Sequence, residues 1–112
     1  MGAASSSALN VTHSTDGGDQ ALLAAKDLEF QLRSVGLRMS RQPREADTIA
    51  AFYIGSCRLD PITGWIADKS FIEFRDAKTG ETIAMVRGDT RFVTPTIRSH
   101  INNLTKATRR LF

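Results

Sequence analysis

The chain reads as an α+β domain, a two-layer sandwich of two helices on a mainly antiparallel sheet of four to five strands. Three observations predict it. Two amphipathic helical patterns flank the sequence, at about 20–35 and from 94 to the end. Between them runs a block of short, β-rich segments separated by turn residues. The resulting order, β-α-β-β-β-β-α, places helices at both ends of a strand meander, which buries its apolar face most simply under both. A length of 112 residues fits one domain.

Residues 1–7, "MGAASSS", are small and polar and predict a disordered tail ahead of a single domain over 8–112. They fit the N-myristoylation pattern at Gly2 and Ser6, a short pattern of low information, and "MG" is equally what a cloning remnant leaves. Residues 8–14 alternate as a strand, with Leu9, Val11 and His13 on one side. Asp19 is a candidate N-cap for the first helix. Leu22, Ala25, Leu28, Leu32 and Val35 form its apolar stripe. Gly36 suits the left-handed position after its end, and Leu37 can fold back on the last turn. "LRMS" is an edge-strand candidate, and Pro43 makes "RQPREAD" a loop.

"TIAAFYIGSCR", 48–58, is apolar on both faces, as a central strand is, with helices on one side and a second layer or a partner on the other. "LDPITG" carries the Asp-Pro and Gly of a loop. Strands follow at about 69–76 and over "TIAMVR", and "DAKTGE" supplies the hairpin turn, with Gly80 at positive φ beside a bulge. For the last helix Thr94 is the expected cap and Pro95 the first helical residue, with Ile97, Ile101, Leu104, Thr108 and Leu111 inward.

The net charge of +3 is unevenly spread. Arg33, Arg38, Arg41 and Arg44 give residues 31–44 a charge of +4, and Arg91, Arg98, Lys106, Arg109 and Arg110 give residues 90–112 a charge of +5. Residues 1–30 and 45–89 each carry −3. Basic segments attract nucleic acid, anionic lipid or an acidic partner, and are most often a solvated face. Residues 19–112 also follow the α-β-β-β-α order of a double-stranded-RNA-binding domain. That fold wants a lysine cluster opening its second helix, where this chain has "TPTIRSH". A basic nucleic-acid-binding domain is therefore the alternative reading.

Several function classes find no support. No apolar run reaches the ~20 residues of a membrane helix, and "MGAASSSALN" lacks the basic start and apolar centre of a secretory signal. The single Cys57 makes neither an internal disulfide nor a zinc pattern and reads as a half-buried thiol. There is no nucleophile elbow, phosphate loop or dinucleotide fingerprint. His13 and His100 would have to meet each other or Cys57 for an active site, so the expectation is no enzyme, no cofactor and no metal. The sequons at Asn10 and Asn103 read as chance matches, the second lying inside a helix. Arg87-Gly88-Asp89 spells an adhesion triplet, but it falls where the last strand ends, as exit residues would.

"LEFQLRSVGLRMSRQPREADTIAAFYIG" joins a helix ending in Gly36 and a hydrophobic pair to an Ala46-Asp47 strand entry. "FIEFRDAKTGETIAMVRGD" follows with Asp76, Thr79 and Gly80 at its turn. In this order, over roughly residues 8–112, the chain resembles the small uncharacterised lipoprotein domains of Gram-negative bacterial envelopes. The resemblance implies an α+β sandwich, a non-enzymatic binding or assembly role, and a place in the periplasm or at the outer membrane, lipid-anchored in the native precursor. It implies another envelope protein as partner, with a homodimer through a sheet edge as a further expectation. Trp65, an aromatic after a glycine in a loop, is the leading contact candidate. Arg58, Lys69, Arg75 and Arg87 are placed to ring such a surface.

Overall fold

A computed structural model describes residues 8–13, 18–89 and 94–112. The expected tail 1–7, with Gly2 and Ser6, lies outside them. Strand β1 is Ala8–His13, helix α1 Gly18–Ser34 and β2 Arg38–Met39. A 3-10 turn, Pro43–Glu45, leads to β3, Thr48–Gly55. Then come β4 Arg58–Asp60, β5 Gly64–Ile66, β6 Lys69–Asp76, β7 Thr82–Arg87 and helix α2, Ile97–Leu111. The main sheet has the order β2-β1-β3-β6-β7, and β4 and β5 form a separate two-stranded sheet. The α+β class and the two helices match the expectation.

The sheet is mixed. β3–β6 and β6–β7 are antiparallel, while β1 runs parallel to both β2 and β3. A 17-residue helix explains this. At 1.5 Å per residue α1 returns the chain about 25 Å, roughly the length of a strand, to the end where β1 began. β2 therefore starts there, and after the short 3-10 turn so does β3, on the other side of β1. Asp47 secures that return: its amide donates to the Ala8 carbonyl and its carboxylate accepts from the Ala8 amide at 2.9 Å. Residues 19–112 do contain an antiparallel β3-β6-β7 meander between the two helices, and β1 and β2 extend that sheet beside β3 with parallel pairing.

Both helices cover one face. Leu9, Ala50, Phe52, Ile54, Ile72 and Phe74 turn inward from the strands and meet Ala21, Ala24, Ala25, Leu28 and Leu32 of α1 and Ile101 and Leu104 of α2. Small residues centre the α1 stripe, one step from the expected one, so Leu22 is exposed along with Leu23 and Phe30. Asp19 lies within the first turn of α1 rather than at its cap. The cap of α2 is Thr96, not Thr94: its hydroxyl accepts from the Ser99 amide at 3.1 Å, and Pro95 precedes the helix. The physical reason is tertiary, since the Pro95 carbonyl accepts from the Ala67 amide and Thr96 bridges to Ile66, which holds both residues extended. Leu111 is exposed rather than inward, and Phe112 packs on Phe74 in its place, ring centroids 5.3 Å apart.

Candidate functional site

Two surfaces stand out, and both begin with the β3–β6 ribbon. The register that sets Gly55 opposite Lys69 carries through to Arg58 opposite Ile66, Leu59 opposite Trp65 and Asp60 opposite Gly64. "LDPITG", expected as a plain loop, is thus the closing turn of a hairpin arm that prolongs the ribbon beyond the sheet. Ser56, a non-glycine residue at φ 57°, marks the break between sheet and arm. Asp60 builds the turn: one carboxylate oxygen accepts from the amides of Ile62 at 2.8 Å and Thr63 at 3.0 Å. Those amides, Thr63 foremost, hold its carboxyl below the usual range. Gly64 supplies the positive φ, 90°.

The base of the arm is tied down and its tip is bare. Ile66 is buried against Thr96, Asp68 donates its amide to the Gly55 carbonyl, and the Arg58 guanidinium pairs with Asp68 at 2.8 Å. Leu59, Ile62 and Trp65 keep 64%, 92% and 42% of their surface exposed. Two-stranded hairpins are marginal alone, and this one spends three of its largest apolar side chains on solvent.

The second surface is the sheet face opposite the helices. Register and alternation put Ile49, Ala51 and Tyr53 of β3, Lys69, Phe71, Glu73 and Arg75 of β6, and Ile83, Met85 and Arg87 of β7 on it. No described helix packs there, and Ile83 and Met85 are exposed. Tyr53 and Phe71, directly opposite, stack with centroids 5.0 Å apart and planes 21° from parallel. The Tyr53 ring lies across Gly55, where a Cβ would come within 2.7 Å of its hydroxyl. Lys69 Nζ sits 5.7 Å from the Tyr53 centroid. Glu73 accepts from Arg75 at 2.6 Å and from the Thr82 hydroxyl, and these bonds, Arg75 first, keep its carboxyl below the usual range.

Of the five contact candidates, Lys69, Arg75 and Arg87 therefore share the open face, while Arg58 and Trp65 belong to the arm, on opposite sides of it. Sequence reasoning missed Leu59 and Ile62 on the arm and Met85 and Ile83 on the face. The signal for the face was present, since "TIAAFYIGSCR" is apolar on both sides. For the arm, "RLD" and "GWI" are too short to show a period.

The polar residues considered for chemistry are sealed or separate. His100 is fully buried in α2. Its Nε2 lies 2.6 Å from the Ala67 carbonyl, which can only accept, so Nε2 carries a proton; Nδ1 lies 2.5 Å from the Ser70 hydroxyl and accepts from it in the neutral ring. Ser70 is fully buried too. The pair ties α2 to β6 and to the base of the arm, and both ring nitrogens are committed away from His13 and Cys57. Burial pushes the Cys57 thiol up. Among the described residues no three His, Cys, Asp or Glu side chains converge as a metal site would need, and no helix is long and apolar enough to cross a membrane.

Arg87-Gly88-Asp89 is anchored rather than displayed. Gly88 is buried; its amide donates to the Ser70 carbonyl at 3.0 Å and its carbonyl accepts from Asn103 Nδ2 at 2.9 Å. That bond also engages the amide of the second sequon, and Asn10 of the first is buried with its amide on the Ser40 carbonyl.

No family model matches the chain, and no curated protein matches it in sequence. Solved structures do. A PelC variant dodecamer from Paraburkholderia phytofirmans superposes with a TM-score of 0.65 at 16% identity, over 96% of this chain and 89% of that one. A second PelC dodecamer from the same organism gives 0.61 at 17% identity, over 94% and 86%. Lipoprotein GNA1162 from Neisseria meningitidis aligns at 0.41 and 10% identity, over 93% and 96%. The PelC likeness shows a shared fold across nearly the whole of both chains.

Proposed function

We propose that this chain is a non-catalytic assembly domain of a bacterial envelope lipoprotein, acting as a subunit that packs against further copies of itself. The observation that carries the proposal is an unpaired apolar surface, arm tip and open sheet face together, on a fold shared with a protein that is a dodecamer. Monomeric soluble proteins rarely leave apolar patches of this kind in water. The non-catalytic part rests on the Ser70–His100 pair, a hydroxyl and a base at bonding distance but closed to any substrate. The envelope part rests on the lipoprotein-like order of sequence motifs.

Sedimentation velocity across the micromolar range tests the assembly. The expected result is a species several times the 12.3 kDa chain mass. A 12.3 kDa particle at every concentration refutes it. Fractionation of the native host tests the location: the domain is expected with the envelope, and recovery in the cytosolic fraction refutes that half. The nucleic-acid alternative predicts oligonucleotide binding that weakens steeply with salt. Such binding at low salt, without assembly, would put that reading in place of this one.

A further inference from the structure

The arm and the open face differ in composition and lie on different parts of the chain. A contact made by such a pair is head-to-tail, and head-to-tail contacts generate closed rings or open filaments rather than isolated twofold dimers. We infer that the apolar tip of the arm, Leu59, Ile62 and Trp65, seats on the open sheet face of a second copy, against Tyr53, Phe71, Ile83 and Met85. This rests on the assembly reading above and names its surface.

Three features favour this occupant. The first is charge. Arg58, Asp60 and Asp68 give the arm −1, while Lys69, Glu73, Arg75 and Arg87 give the face +2. Within one copy Arg58 is paired with Asp68, Arg75 with Glu73 and Arg87 with Asp89. That leaves Asp60, at the tip of the arm and drawn only by the longer-range field of Arg58, and Lys69, at the edge of the face, outside these ion pairs, so a second copy brings the two together. The second feature is rigidity. The Asp60 turn is closed by its own carboxylate and the Tyr53–Phe71 stack is already formed, so little side-chain freedom is lost on contact. The third is chemistry. The arm offers a tryptophan flanked by aliphatics and the face offers arginines beside its apolar residues, and tryptophan and arginine are the residue types enriched at interface anchors.

The other exposed apolar group, Leu22, Leu23 and Phe30 on the outside of α1, lacks this complement. Its charged neighbours Lys26, Asp27, Glu29 and Arg33 sum to zero, and Arg33 is already on Glu29 at 3.2 Å.

The test uses three double variants of the full chain: Ile62→Ser with Trp65→Ser on the arm, Ile83→Ser with Met85→Ser on the face, and Leu23→Ser with Phe30→Ser on α1. Circular dichroism checks that each folds. In sedimentation velocity the arm and face variants are each expected at the 12.3 kDa monomer mass, with the α1 variant assembling like the unmodified chain. Mixing the arm and face variants leaves one intact arm and one intact face, so a 1:1 dimer that grows no further is expected. If the arm or face variant assembles like the unmodified chain, this interface is refuted and the assembly reading stands. Loss of assembly in the α1 variant alone moves the seat to α1 and also refutes it. If the unmodified chain is a monomer, the assembly reading itself fails, and this inference with it.

Discussion

Replacing Gly88 by alanine separates scaffold from signal in Arg87-Gly88-Asp89. A Cβ built on Gly88 lies 2.8 Å from Leu104 Cγ and 2.9 Å from the His100 carbonyl oxygen, and runs into the Ser70 hydroxyl. Leu104 can rotate, but the His100 carbonyl is backbone in the first turns of α2, and the Ser70 hydroxyl is held by the His100 ring. Relief therefore requires β7 to move off α2, which strains the Gly88–Ser70 and Asn103–Gly88 hydrogen bonds together. Overpacking of this kind costs about 1–3 kcal/mol. With two hydrogen bonds stretched as well, the expected loss is about 3 kcal/mol. For a domain near a hundred residues that is a fall of roughly 10–15 °C in melting midpoint. Thermal denaturation by circular dichroism reads it directly. Arg87→Ala is the control: its pairing with Asp89 at 3.3 Å is on the surface, so the midpoint is expected within about 3 °C of the unmodified chain. An unchanged midpoint for Gly88→Ala would refute the close-packing argument. A large drop for Arg87→Ala would show that the triplet is held from its other end.

Three further outcomes follow from local geometry. Gly80 turns the β6–β7 hairpin at φ 77°, so Gly80→Val, a β-branched residue in the left-handed region, should destabilise by about 1–3 kcal/mol in urea unfolding. Thr96→Ala removes the hydroxyl that caps α2 and should cost about 1 kcal/mol, whereas Thr94→Ala should cost nothing measurable; equal effects would contradict the cap assignment. Asp76 accepts from the amides of Thr79 and Lys78, and these, Thr79 first, depress its pKa below the ordinary 3.8. A depressed folded-state pKa adds stability above the unfolded value and loses it as pH falls through the folded one. The melting midpoint should therefore decline below about pH 4, and Asp76→Asn should flatten that decline. An identical acid limb in the variant would count against it.

The hairpin turn was legible because its chemistry is local. An Asp, a Thr and a Gly within five residues close "DAKTG" in the sequence as they do in the fold, with Asp76 on two amides and Gly80 at positive φ. The same local chemistry was visible at Asp60-Pro61 and Gly64, but three-residue strands carry no period, so the turn was seen and the arm was not. Helix α2 shows the limit from the other side. "TPT" offers two threonines as caps, and sequence preference favours the one before proline. Contacts from Ile66 and Ala67, about thirty residues earlier, choose Thr96.

The chain's own pattern determined the two helices, the central strand with apolar residues on both faces, the last hairpin and the exit of Gly88 from β7. These depend on residues within a few positions of one another, where spacing and backbone preference act directly. Only the tertiary structure decided that β1 lies between β2 and β3 and parallel to both, because strand direction depends on how far a helix carries the chain back. It alone joined Ser70 to His100 across thirty residues and set Gly88 against α2. It also decided which apolar residues stay in water. Burial is a property of the whole packed chain, and Leu59, Ile62, Ile83 and Met85 look in sequence like any other core residues.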